Sequence, residues 1–129
     1  MNESRKFSRH YTLAEVRELL PRLGNWLGEL RHLQQVVERG ADRNVTLFAE
    51  GRDLGGERIN DQLRNLTRMR ELIAEFEELE IQIKDLGRGL VDFPALRGDR
   101  EIFLCWQEGE ADVTYWHELD TGFAGRQRV

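Results

Sequence analysis

Two long stripes of apolar residues at helical spacing constrain this chain more than any other feature. In the first, Leu13, Val16, Leu20, Leu23, Leu27, Leu30 and Val37 recur in steps built from threes and fours, which places them on one helix face. Thr12 followed three residues later by Glu15 forms a capping box, and Tyr11 with Val16 supplies the flanking hydrophobic staple. The stripe stops at Gly40, so the pattern predicts a helix over 12–39. Pro21 lies inside it and removes one ladder bond, which either kinks the helix or divides it in two. The second stripe starts near Glu57 and runs through Ile59, Leu63, Leu66, Met69, Ile73, Phe76, Leu79, Ile83 and Leu86 to Gly87. Two such helices fold back as an antiparallel hairpin. A lone hairpin cannot enclose its own apolar stripe, so the expected remedy is dimerisation into a four-helix bundle.

Between the stripes, residues 40–56 hold no sustained period. Gly40, Gly51, Gly55 and Gly56 punctuate them, and Asn44 to Phe48 has mild strand character. The expectation is a mobile loop. Gly55–Gly56 lacks the following Lys-Ser/Thr of a triphosphate cradle. After Gly89 the period changes. Asp92–Phe93–Pro94 reads as a turn, Arg100 to Gln107 as a strand, Glu108 to Glu110 as a turn, and Ala111 to Glu118 as a returning strand. A three-residue loop would pair Cys105 with Val113, Phe103 with Tyr115 and Glu101 with His117. Both faces of that hairpin are apolar. One would meet the helices, and the other would need a partner chain or the tail from Asp120 to Val129. The fold class is therefore α+β: a helical hairpin over about 12–87, then a C-terminal β-hairpin and tail over about 90–129, in a single domain.

Composition narrows the function. Nineteen basic and twenty-four acidic side chains give a net charge of −5, the wrong sign for a general nucleic-acid binder. Acidity is concentrated at residues 90–129, with four basic and eight acidic side chains and six of the eleven aromatics. No apolar run approaches the roughly 20 residues that span a bilayer, and Met1 to His10 holds no signal-peptide core. A single cysteine excludes an internal disulfide and fits a reducing cytoplasm. Arg5, Lys6 and Arg9 form a small basic N-terminal cluster expected to fray. The run Glu75, Glu77, Glu78 and Glu80 reads as a solvated face, and neither helix carries the Glu-x-x-His of a bundle metal site. No cofactor is indicated.

Residues 115–126 are the densest run of reactive side chains. His117 is a candidate general base or metal ligand, Asp120 three residues on could orient or co-ligate it, and Asp92 could point into the same rim. Gly122 and Gly125 would let backbone amides approach an anion that Arg126 pairs with. Trp106 and Trp116 could stack on a ligand. Each also has a structural reading: a satisfied histidine, a plain Asp120–Thr121–Gly122 turn, an arginine tying the tail to an acid, and core tryptophans. Cys105, on an apolar face, reads as an inert buried thiol.

The stretch Lys-Asp-Leu-Gly-Arg-Gly-Leu-Val-Asp-Phe-Pro-Ala-Leu from residue 84, the strand Glu-Ile-Phe-Leu-Cys-Trp, and Tyr-Trp-His-Glu-Leu-Asp-Thr-Gly-Phe-Ala-Gly-Arg-Gln from residue 115 together resemble an uncharacterised bacterial family, domain of unknown function 2203. Tyr-Thr-Leu-Ala-Glu-Val and Leu-Leu-Pro at 19–21 are similar to its first helix. That resemblance implies small cytoplasmic proteins and brings no activity, cofactor or catalytic residue with it. The residues themselves favour a non-enzymatic, homodimeric binding or scaffold module, which would hold a protein partner or small anionic ligand on its acidic, aromatic C-terminal surface. The alternative is a small metal-dependent or general-base hydrolase centred on His117, Asp120 and Asp92.

Overall fold

The computed structural model describes residues 5–52 and 55–129. Helix α1 spans Leu13–Ala49 and helix α2 spans Gly56–Glu78. Five antiparallel strands follow: β1 Gln82–Asp85, β2 Leu90–Arg97, β3 Arg100–Gln107, β4 Tyr115–Glu118 and β5 Gln127–Arg128. The strands lie in sequence order across the sheet. The class is α+β.

The capping box at the start of α1 is present in both directions, Glu15 N–H donating to Thr12 and Thr12 N–H to the Glu15 carboxylate. Pro21 sits within one continuous helix. Three cross-links show α2 running back along α1. Arg68 donates to the Glu29 carboxylate at 2.9 and 3.1 Å, Gln62 Nε2 to the Val37 carbonyl at 2.9 Å, and Trp26 meets Phe76 edge-on at 5.6 Å.

Three boundaries differ from the sequence expectation. First, α1 passes through Gly40 to Ala49, so most of the expected loop at 40–56 is helix, including Asn44 to Phe48. Glycine costs a helix only about 1 kcal/mol relative to alanine, and the Gln62 side chain fills the space beside Gly40. Second, α2 ends at Glu78, eight residues before Leu86. Glu80 takes a left-handed φ of 57°, and its carboxylate accepts from the Ser8 and Arg9 amides. Glu80 is thus a tether rather than part of a solvated run. Third, Asp92–Phe93–Pro94 is no turn but the middle of β2. β1 pairs only as far as Asp92, so no ladder acceptor waits for the N–H that Pro94 lacks. The Pro94 carbonyl instead accepts from Tyr11 N–H at 2.7 Å.

The β3 strand has the expected bounds, whereas the returning strand is only Tyr115–Glu118. Its register pairs Cys105 with Tyr115 and Phe103 with His117, two residues from the expected alignment. A slip of two preserves which face each side chain takes. Val91, Phe93, Ala95, Ile102, Leu104, Trp106 and Trp116 join Val16, Leu23, Leu27, Leu30, Leu72 and Phe76 in one core. The opposite face carries Asp92, Pro94, Phe103, Cys105, Tyr115 and His117.

That second face is covered from both ends of the chain. Phe7 packs edge-on against Phe103 at 5.4 Å, and Arg126 lies over Tyr115 at 3.8 Å. Residues 5–10 are therefore not frayed. The Glu101 carboxylate accepts from the backbone amides of Lys6 and Phe7 at 2.6 and 3.0 Å and pairs with His10 Nε2 at 2.9 Å.

Candidate functional site

β2, β3 and β4 place Asp92, Cys105 and His117 side by side on the face turned away from the helices, one from each strand. Their ligand-type atoms lie within 4.8 Å of one another. His117 Nε2 stands 2.9 Å from Asp92 Oδ2, and its Nδ1 stands 2.6 Å from the Glu118 carbonyl. A carbonyl only accepts, so Nδ1 donates there. One proton then lies between Nε2 and Asp92 Oδ2, which accounts for a buried pair whose two atoms would otherwise meet lone pair to lone pair. Asp92 and His117 are each 1% exposed and Cys105 is fully buried. Asp92 Oδ1 has no hydrogen-bond partner.

Of the carboxylates considered from sequence, Asp92 meets His117 and Asp120 does not. Asp120 lies exposed in the turn after β4. Arg126 reaches Glu110 at 2.5 Å and stacks on Tyr115 and Phe123, tying the tail to an acid. Gly122 takes a φ of 64°, and a Cβ at Gly125 would fall 2.6 Å from Thr121. Both glycines serve the tight tail. Trp106 donates its indole N–H to the Glu110 carbonyl and is core. Burial, and after it the adjacent Asp92 carboxylate, pushes the Cys105 thiol up to about 12. Thiolate is the reactive form, so Ellman's reagent at neutral pH should label Cys105 only after denaturation. Rapid labelling of the folded protein would mean the cover is open.

The Glu101 tether titrates. Burial alone would raise its carboxyl, but the bonds from His10, Lys6 and Phe7 outweigh it and hold the group below the ordinary carboxylate range. An acid depressed in the folded state stabilises fully above its unfolded pKa of about 4.3 and loses that contribution as pH falls through the lower folded value. Acidification below about 4.3 should therefore release the N-terminal segment first. Hydrogen exchange at the Lys6 and Phe7 amides would show it as faster exchange before global unfolding.

A cavity of about 390 Å³ opens at the other side of the sheet, where α1 begins. Leu13, Ala95, Ile102, Leu104 and Trp116 line it with Tyr11 and Val129, while Thr12, His10 and Arg97 bring polar groups. The Arg97 guanidinium sits 4.4 Å over the Trp116 ring, and no carboxylate among the described residues pairs with it. Sequence reasoning named Trp116 but missed the other lining residues. They come from three distant segments with no shared spacing, so no local signal marks them.

No curated protein and no solved structure matches the chain. A family model does match, over residues 9–129. The chain belongs to the family described as an uncharacterized conserved protein, DUF2203.

Proposed function

We propose that the protein is a non-enzymatic, homodimeric binding module of the cytoplasm, and that its ligand is a small anion with an apolar body held in the cavity at the start of α1. The observation that carries this reading is the contrast between the two sites. The reactive cluster of Asp92, Cys105 and His117 is sealed, whereas the cavity is open, mostly apolar and edged by the Arg97 guanidinium. A volume of 390 Å³ falls in the range of small-molecule sites. Arg97 offers a guanidinium that no carboxylate among the described residues pairs with, stacked on Trp116 at the cavity edge. A hydrolase would need His117 and Asp92 within reach of a substrate; at 1% exposure each, they are not.

The helical arm supplies the second half of the reading. Val45, Phe48, Ile59 and Leu63 are exposed near the tip, Phe48 at 76%. Residues 36–66 hold five basic and six acidic side chains, so a second copy meets almost no net repulsion there although the whole chain is acidic. A two-helix face about 35 Å long and about 20 Å wide offers about 700 Å², close to the roughly 800 Å² per partner of a standard interface. The arms of two copies together make the four-helix bundle.

Titration with 2-naphthoate, an apolar aromatic carboxylate, tests the ligand site. The expected result is saturable binding at one site per chain, weakened about tenfold by Arg97→Gln. This is the loss of one charge-assisted hydrogen bond worth about 1.5 kcal/mol. No binding by the wild type, or equal binding by the variant, contradicts the site. Light scattering at micromolar concentration tests the dimer, which Leu63→Glu should dissociate; a wild-type monomer refutes it.

A further inference from the structure

The sealed cluster does not serve the proposed ligand site, and its chemistry calls for an occupant of its own. We propose that Asp92, Cys105 and His117 form a buried structural site for one zinc ion per chain.

Three observations converge on it. The three side chains come from three neighbouring strands, and their donor atoms fall within 4.8 Å of one another. His117 Nδ1 is committed to the Glu118 carbonyl at 2.6 Å. Nε2, now sharing one proton with Asp92, is therefore the nitrogen that can exchange that proton for a cation, as in histidine ligands whose second nitrogen is fixed by a carbonyl. Asp92 Oδ1, inside a side chain 1% exposed, has no partner. A buried carboxylate oxygen left bare is costly, and a cation in the cluster gives it one.

The donor set selects the ion. Sulfur and imidazole nitrogen with carboxylate oxygen suit zinc and do not suit magnesium or calcium, which prefer all-oxygen shells. Structural zinc takes four donors, at about 2.3 Å for sulfur and about 2.0–2.2 Å for nitrogen and oxygen. The three side chains supply one donor each, and the unpartnered second oxygen of Asp92 is the available fourth, which completes a distorted rather than a regular tetrahedral shell. Charge balances as well. The zinc dication displaces the Cys105 thiol proton and the proton shared by His117 and Asp92. Two protons leave, and a thiolate, a carboxylate and a neutral imidazole cancel the ion's charge. Burial is no obstacle to a structural ion, which is captured as the strands close over it.

The full chain is tested by refolding it from denaturant under reducing conditions with cobalt(II), the spectroscopic stand-in for zinc, and separately with zinc. Free metal is then removed by gel filtration. The expected result is one ion retained per chain, about two protons released per ion taken up, and a thiolate-to-cobalt charge-transfer absorption. The chain has one cysteine, so that absorption assigns Cys105 in the wild type without relying on a variant that folds. Cys105→Ser, where it folds, should lose the absorption, while Arg97→Gln should keep it. The proposal is overturned by refolded protein that retains no ion, or that retains an ion without thiolate absorption. A His117 Nε2 found protonated by nitrogen-15 spectroscopy in the zinc-refolded protein would likewise identify the cluster as a metal-free imidazolium–carboxylate pair.

Discussion

Asp92→Ala should lower the stability of the folded protein by about 3–5 kcal/mol, the usual cost of deleting one member of a buried, hydrogen-bonded pair. It strands His117 Nε2, in a side chain 1% exposed, without its carboxylate partner. Denaturant unfolding measures the loss as a lower midpoint at nearly unchanged slope. His117→Ala should cost a similar amount and in addition open a cavity between Phe103 and Cys105. The double variant Asp92→Leu/His117→Leu should be far less damaging than the two single losses added together, because residues in one hydrogen-bonded pair couple strongly. The folded fraction of each variant should still bind 2-naphthoate. Stable, well-folded single variants that lose ligand binding would instead support the hydrolase reading and its exposed catalytic centre.

Phe93→Ala should be comparably severe, at about 3–5 kcal/mol. Phe93 is fully buried and meets Tyr11 edge-on at 5.6 Å. Tyr11 in turn holds the start of α1 to the sheet, its N–H on the Pro94 carbonyl and its hydroxyl on the Leu79 carbonyl, each at 2.7 Å. Removing the Phe93 ring therefore empties the core at the place where helix, β2 and the end of α2 are joined. Domains of this size are stable by only about 5–15 kcal/mol, so either substitution consumes much of the total. Thermal unfolding followed by circular dichroism would register it; a shift of only a degree or two would show that the joint bears little of the packing.

Local chemistry was legible in the sequence wherever one short segment carried the whole signal. The Thr12–Glu15 box starts α1, Arg100–Gln107 is a strand, and the alternation of Phe103, Cys105, Tyr115 and His117 against Ile102, Leu104 and Trp116 sorts the faces correctly. Features settled by distant partners were not legible. The spacing of Phe76, Leu79 and Ile83 fits a helix, yet Leu79, Ile81 and Ile83 also alternate as a strand does. Glu80, turned into a left-handed bend and tied to Ser8 and Arg9 some seventy residues away, decides between them. Pro94 argued against a strand until the short reach of β1 left its missing N–H without an acceptor.

The candidate site follows the same division. His117 and Cys105 stood out as residue types, and the buried, inert thiol was readable from its apolar alternation. Two carboxylates, Asp92 and Asp120, were candidate partners of His117, and the choice between them was not readable. Asp120 is near in sequence but exposed, while Asp92 is brought in by the pairing of β2 with β3 and of β3 with β4. Arg97, Leu13 and Ala95 carry no motif and become a cavity only when the start of α1 is laid against the sheet.

Mapping the backbone amides of the nitrogen-15-labelled protein during titration with 2-naphthoate tests the central claim most directly. Saturable shifts confined to Leu13, Ala95, Arg97, Trp116 and Val129 are the result expected of a module that binds its ligand beside α1. Shifts that leave those positions unchanged and gather on Asp92, Cys105 and His117 would contradict it, and would mark the sealed cluster as the functional centre.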